Sequence, residues 1–233
     1  VIKDIHKQYL KAGANILTAN TFGALPLKLS NARYNTKQYI DAAAKVMKEA
    51  VAEIEADGNT TPHYIGWDTS QIGRLLEPMG NLTFDEAYET YKEAAILAAK
   101  AGFELAIVET MADLHEVKAA ILAIKENTSL PVIASMTFQK NLRTLTGADV
   151  QTCVTYLEAL RPDILGFNCG GALTEGEELT RQFLKYSHTP VLVQPNAGLP
   201  VVQNGKAVFL VKPEQFANSQ KANRLAGAAV LGG

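Results

Sequence analysis

The sequence predicts an α/β fold of the (β/α)8 TIM-barrel class, and three observations carry that reading. Short apolar runs alternate with amphipathic helical stretches along the whole chain. The apolar runs are hydrophobic throughout rather than at every second residue, the pattern of parallel strands covered on both faces. The count is seven helices and seven strands, beginning with a helix and ending with a strand. That order matches an eight-unit barrel apparently lacking its first strand and last helix in this chain. A doubly wound open sheet fits the alternation but leaves the two ends unexplained. No linker or low-complexity stretch interrupts the 233 residues, so a single domain over 1–233, truncated at both ends, is expected.

The elements follow in order. Ile2, Ile5, Tyr9 and Leu10 share one helical face, and Gly13 ends that helix as a C-cap. Ala14–Thr18 reads as a strand exiting at Asn20-Thr21-Phe22. A long helix over Thr36–Ala56 turns Ala43, Val46, Met47, Ala50, Val51 and Ile54 inward and stops at Asp57-Gly58-Asn59. His63–Trp67 is the next strand, exiting at Asp68. Thr83 and Glu86 have capping-box spacing, opening a helix that runs to Ala101 and stops at Gly102. Leu105–Val108 exits at Glu109-Thr110, and Asp113 caps a helix to about Lys125. Pro131–Ala134 exits at Ser135-Met136-Thr137, and Asp149 opens a helix to about Leu160. Ile164–Phe167 leads into Asn168-Cys169. Thr174 and Glu177 have the spacing of a second capping box, with a helix to about Tyr186. Val191–Val193 exits at Gln194-Pro195-Asn196. Val201–Phe209 reads as a β-hairpin around an Asn204-Gly205 type I′ turn. Pro213 suits the first position of a helix ending near Gly227, and Ala229–Leu231 is the last strand.

Composition excludes several classes of function. Net charge is -2, with 20% charged and 47% hydrophobic residues, which offers no basic footprint for nucleic acid or an anionic membrane. The longest apolar stretches are too short to span a bilayer. Two cysteines in this length argue against a disulfide framework and for a reducing compartment, so a cytoplasmic location is expected.

In a barrel the chemistry sits at the carboxyl ends of the strands. The exits read Asn20-Thr21, Asp68, Glu109-Thr110, Ser135–Thr137, Asn168-Cys169, Asn196 and Gly232-Gly233: one thiol, two carboxylates and three carboxamides among them. Singly, each polar exit residue is equally well a strand-end hydrogen bond. Cys169 stands out because it sits among polar exits and beside glycines. Cys153 lies mid-helix and reads as core. His6 and His115 fall on helices, His188 in a loop and His63 at a strand start, so no Ser/His/Asp triad assembles. No exit carries a lysine for Schiff-base chemistry.

Taken together, Gly13–Ala24, Glu109-Thr110 with Asp113 and Glu116, Gly166-Phe167-Asn168-Cys169, Pro195–Gly198 and Gly232-Gly233 resemble the homocysteine S-methyltransferase family. The likeness is strongest to the homocysteine-binding module of cobalamin-dependent methionine synthase, and to the bacterial fusion of that module with a methylenetetrahydrofolate reductase. The resemblance implies zinc-dependent transfer of a methyl group to the thiolate of L-homocysteine, giving methionine. It implies a zinc ion held by three cysteines, Cys169 being one and a Cys-Cys pair directly after the Gly-Gly supplying the others. Glu109 matches the position that holds the substrate ammonium group, with Asn20, Asp68 and Asn168 as further substrate contacts. No catalytic residue is implied beyond the metal site. The methyl donor would be methylcobalamin or methyltetrahydrofolate, presented by corrinoid- or folate-binding or reductase domains outside this chain.

The sequence departs from the family in two places. The Asp-Gly motif of the first strand is absent, and Ser70–Gly73 stands where the family has Gly-Pro-Thr-Gly. Cys169 alone would not hold zinc tightly, so this chain by itself would be inactive. Two other readings remain open from the residues: a non-catalytic module that has lost its metal, and a phosphate-binding barrel enzyme using Gly232-Gly233.

Overall fold

Four helices begin where a side-chain oxygen accepts from an otherwise unpaired N–H of the first turn, at Asn35, Thr83, Asp113 and Asp149. The computed structural model describes residues 1–170, 173–203 and 205–233. Packing divides the chain into two compact units, Val1–Val108 with Ala119–Val132, and Glu109–Lys118 with Ile133–Gly233.

The first unit contains α1 (Ile2–Lys11), β1 (Ile16–Thr18), α2 (Thr36–Ala56), β2 (Tyr64–Thr69) and α3 (Phe84–Ala101). It also holds the start of β3 (Leu105–Met111) and most of α4 (Leu114–Asn127). β1 pairs with β2 and β2 with β3, all parallel, Thr18 opposite Gly66 and Asp68 opposite Ile107. The capping box of α3 is present: Glu86 N–H donates to Thr83 Oγ1 at 3.1 Å and Thr83 N–H to Glu86 Oε2 at 3.0 Å. A second box, not anticipated, opens α2 through Asn35 and Gln38. Gly102 ends α3 at φ 84°, a conformation that a Cβ would strain. The core is built from Leu17, Ile40, Met47, Ile54, Trp67, Tyr91 and Ile121, each at most 2% exposed.

The second unit contains β4 (Val132–Met136, from Ile133 onward), α5 (Val150–Leu160), β5 (Ile164–Cys169), α6 (Leu173–Tyr186) and β6 (Val191–Pro195). The hairpin β7 (Val201–Gln203) and β8 (Lys206–Val208), α7 (Pro213–Ala226) and β9 (Val230–Leu231) complete it. β4, β5, β6 and β9 are neighbours in that order, all parallel. In each unit, strands adjacent in the chain apart from the hairpin are therefore adjacent in space. Asp149 caps α5 by accepting from Thr152 N–H at 2.9 Å. Phe138, Phe167 and Phe183 stack in the core, with ring centroids 5.8 and 5.4 Å apart.

Three expectations need correction. The strands run past their expected ends: Asp68-Thr69, Glu109–Met111, Ser135-Met136, Asn168-Cys169 and Gln194-Pro195 still belong to β2, β3, β4, β5 and β6. Polarity ends an apolar run without ending a backbone ladder, which depends on main-chain pairing. On α1 the buried residues are His6 and Leu10, while Ile2, Ile5 and Tyr9 are 43, 47 and 57% exposed. Thr174 does not open α6, because Leu173 is already helical. The hairpin is present, with Gln203 paired to Lys206 around a two-residue connection. Gly205 there has φ 73°. Its Asn204, like Gly171 of the Cys169 motif, lies outside the described residues.

Candidate functional site

In the second unit, two residues at the ends of parallel strands have left-handed backbones. Thr110 on β3 has φ 59° and Cys169 on β5 has φ 58°. A β-branched residue in this region is a strong outlier and persists only where surrounding bonds enforce it. The enforcing group is the Asn168 side chain. Its Oδ1 accepts from Thr110 N–H at 2.7 Å and from the Ser135 hydroxyl at 2.8 Å. Its Nδ2 donates to Thr110 Oγ1 at 2.7 Å and lies 3.6 Å from Cys169 Sγ. One buried carboxamide thus ties together the ends of β3, β4 and β5.

Glu109 precedes Thr110 and is half-buried; burial raises its carboxyl above the ordinary range, and a hydrogen bond from Gln194 Nε2 at 3.3 Å opposes that rise. Gln194 in turn packs on Gly232, where an added Cβ would sit 2.9 Å from Gln194 Oε1. The Gln220 carboxamide donates to the Gly232 carbonyl. The Cys169 thiol is pushed up by burial, pulled down by a hydrogen bond with the Thr110 side chain, and pushed up again by the Glu109 charge. Asn196 Nδ2 donates to the Gly170 carbonyl at 3.0 Å, joining the residue after Cys169 to the one after β6.

Of the expected site residues, the structure brings Glu109, Asn168 and Cys169 together in this unit. Asn20 and Asp68 belong to the first unit. Asp68 is buried at the end of β2, where the Thr21 hydroxyl donates to its carbonyl at 2.7 Å and its N–H donates to Thr21 Oγ1 at 3.2 Å. Asn20 is exposed and lines a cavity of about 410 Å³ with Tyr34, Gln38, Tyr39 and α2. Cys153 is buried mid-helix with its thiol pushed up to about 12, as a core residue should be. Thr110, Ser135 and Gln194 were absent from the expected substrate set. Their signal was only that each is polar and sits at a strand end.

Glu109 and Cys169, both half-buried, lie close enough at the ends of β3 and β5 for the Glu109 charge to act on the thiol. A family model described as homocysteine S-methyltransferase matches residues 1–233. The chain belongs to the homocysteine S-methyltransferase family. Methionine synthase of Mycobacterium tuberculosis (strain ATCC 25618 / H37Rv) is 30% identical over 228 residues, covering 94% of this chain and 19% of that protein. Methionine synthase of Mycobacterium leprae (strain TN) is 29% identical over 227 residues, covering 94% and 18%. The chain therefore spans about a fifth of the length of these curated relatives. Among solved structures, the metallated form of the homocysteine methyltransferase MmuM from Escherichia coli matches with a TM-score of 0.82 at 18% identity. That match covers 100% of this chain and 78% of that one, and it establishes the (β/α)8 barrel class as the fold.

The residues present do not make a metal site by themselves. Among the described residues no three of His, Cys, Asp or Glu gather where they could hold an ion. Cys169 offers one sulfur, short of the ligand number zinc requires. No helix among the described residues is long and apolar enough to cross a membrane.

Proposed function

We propose that this chain is the homocysteine-binding module of an enzyme that transfers a methyl group to the sulfur of L-homocysteine, giving methionine. Within the family, the observation that supports this reading is that Glu109 lies near the end of β3 and Cys169 ends β5, with Asn168 bonded to Thr110, the neighbour of Glu109, and 3.6 Å from Cys169 Sγ. Homocysteine carries an ammonium group and a thiol. Glu109 receives the ammonium: a half-buried carboxylate with a raised proton affinity regains stability when a cation replaces its lost hydration. Gln194 holds that carboxylate in place. The substrate sulfur, as thiolate, attacks the methyl carbon of the donor. The carbon–sulfur bond forms as the donor–methyl bond breaks, and the bonding electron pair leaves with the donor. Asp68 and Asn20 are assigned as further substrate contacts.

Cys169 is assigned as one zinc ligand, with the remaining thiols, a Cys-Cys pair after a Gly-Gly, supplied by the complete protein. Zinc would act as the Lewis acid that keeps the substrate sulfur deprotonated near neutral pH. The relatives are methionine synthases much longer than this chain, which supports a corrinoid or folate methyl donor delivered by other domains.

The test is zinc content and turnover of the full-length protein. The expected result is about one zinc per chain, with both zinc and homocysteine methylation lost in Cys169→Ser. Wild-type zinc and activity in that variant would overturn the assignment.

A further inference from the structure

Helix α7 buries polar side chains. Gln220 and Asn223 are both buried, and Phe216 lies one turn earlier on the same face. Asn223 Nδ2 donates to Gln220 Oε1 at 3.0 Å, which leaves the Gln220 NH2 to bond the Gly232 carbonyl. Turning that amide over would set NH2 against NH2 and oxygen against carbonyl oxygen, so one orientation is selected. The Gly232 N–H donates to the Val193 carbonyl at 3.1 Å. Both main-chain polar groups of Gly232 are therefore held, one by β6 and one by α7.

Gly232 is the wall on which Gln194 rests. A Cβ built there would lie 2.9, 3.1 and 3.2 Å from Gln194 Oε1, Cγ and Cδ. The contact takes in the stem of the side chain as well as its tip, so a residue larger than glycine moves the whole carboxamide. Gly233 is bounded in the same way: a Cβ there would overlap the Phe216 ring and lie 2.8 Å from the Pro195 carbonyl oxygen. On its other side Gln194 Nε2 reaches Glu109 Oε2 at 3.3 Å. A bond of that length is lost when the carboxamide shifts by about half an ångström.

We propose that Gln220 and Gly232 are positioning residues of the homocysteine site. Gln220, oriented by Asn223, fixes Gly232. Gly232, having no side chain, leaves the space in which Gln194 lies with its NH2 on the Glu109 carboxylate. A chain of contacts thus links α7 to the carboxylate assigned to the substrate ammonium group. A carboxylate held in one place loses little rotamer freedom when the cation arrives, whereas one free to swing loses more and binds more weakly. This rests on the functional reading above. Neither residue is assigned a contact with substrate; both act through Gln194.

The test is a set of crossed variants of the full-length enzyme, read as KM for homocysteine and as kcat. Gly232→Ala and Gln220→Met should each raise KM roughly three- to tenfold with kcat within about twofold of wild type, the split expected when substrate binding alone is weakened. In a Gln194→Ala background the methyl added at 232 meets nothing and the donor lost at 220 has nothing left to steer. There, each change should raise KM by no more than about twofold further. A change acting through folding or metal content would instead lower kcat and persist in that background. An unchanged KM in either single variant overturns the role of that residue. A fall in kcat in place of the rise in KM, or effects that multiply with Gln194→Ala, overturn the proposal as a whole. Where Gln220→Met does not fold, Asn223→Ala, which lets the Gln220 amide turn away from Gly232, takes its place under the same criteria. Failure of the wild-type protein to methylate homocysteine overturns the functional reading instead, and a crystal structure of Gly232→Ala then judges the positioning. Gln194 Nε2 more than about 3.5 Å from Glu109 Oε2 upholds it, and an undisturbed bond overturns it.

Discussion

Glu109 and Cys169 illustrate how chemistry is set at the scale of single residues. Both lie at strand ends, both are half-buried, and burial raises both side chains' affinity for protons. What distinguishes them is the company each keeps: a carboxamide donor for Glu109, a hydroxyl and a second carboxamide for Cys169. If Glu109 receives the substrate ammonium, Glu109→Gln keeps the shape and removes the charge. The KM for homocysteine should then rise roughly ten- to hundredfold with a smaller change in kcat, the signature of lost ground-state binding. An unchanged KM in steady-state kinetics of the full-length enzyme would remove Glu109 from this role. Both residues were singled out in the sequence, Cys169 by its place among polar exits and beside glycines, and Glu109 by its match to a motif of the family it resembles. Gln194, Ser135 and Thr110 were not, because uncharged polar residues at strand ends are common and only their partners reveal a purpose.

Among the elements, boundaries with a chemical marker were readable except at Thr174, whose capping spacing misplaced the start of α6, and strand ends without one were not. Asn-Thr-Asp type caps, Pro213 at the start of α7 and Gly102 after α3 mark helix ends through side-chain oxygens, a missing N–H or a positive φ, all properties of one residue. Thr83 satisfies N–H groups at the start of α3 in a reciprocal pair with Glu86. Thr83→Ala should therefore cost about 1 kcal/mol, measured by chemical denaturation. A loss near zero would mean that packing of Ala87, Tyr91, Ala94 and Ala98, not the cap, holds the helix end. Strand ends behaved differently. β3 continues through Glu109 and Thr110 because the main chain keeps its bonds: Thr137 N–H donates to the Met111 carbonyl at 2.8 Å. Hydrophobicity tracks which residues are covered, whereas the ladder needs only a neighbouring backbone.

At the scale of the whole molecule, His6 makes stability depend on pH. His6 on α1 is 6% exposed, its Nε2 is buried without a hydrogen-bond partner, and burial holds its pKa below 6.5. Above that value both folded and unfolded chains hold it neutral. As pH falls through about 6.5 the unfolded chain takes up a proton that the folded chain refuses, so stability declines until the lower folded pKa is reached. Replacing it, as in His6→Leu, should flatten the fall in denaturation midpoint between pH 7 and 5.5; an equal fall in both proteins would assign the acid sensitivity elsewhere. The sequence by itself determined the alternation of helix and strand, the parallel character of the strands, the helix starts that carry caps, and the candidate thiol and acid. These rest on local composition, on the hydrophobic period and, for the acid, on a family motif, all of which a linear reading senses. Only the tertiary structure decided that His6 is buried while Ile5 is exposed, that the strands run on through their polar ends, and that one asparagine binds Thr110, Ser135 and Cys169 together. Those features depend on which distant segments meet: residue 168 reaches residue 110 through a hydrogen bond spanning 58 positions, and no local pattern encodes that distance.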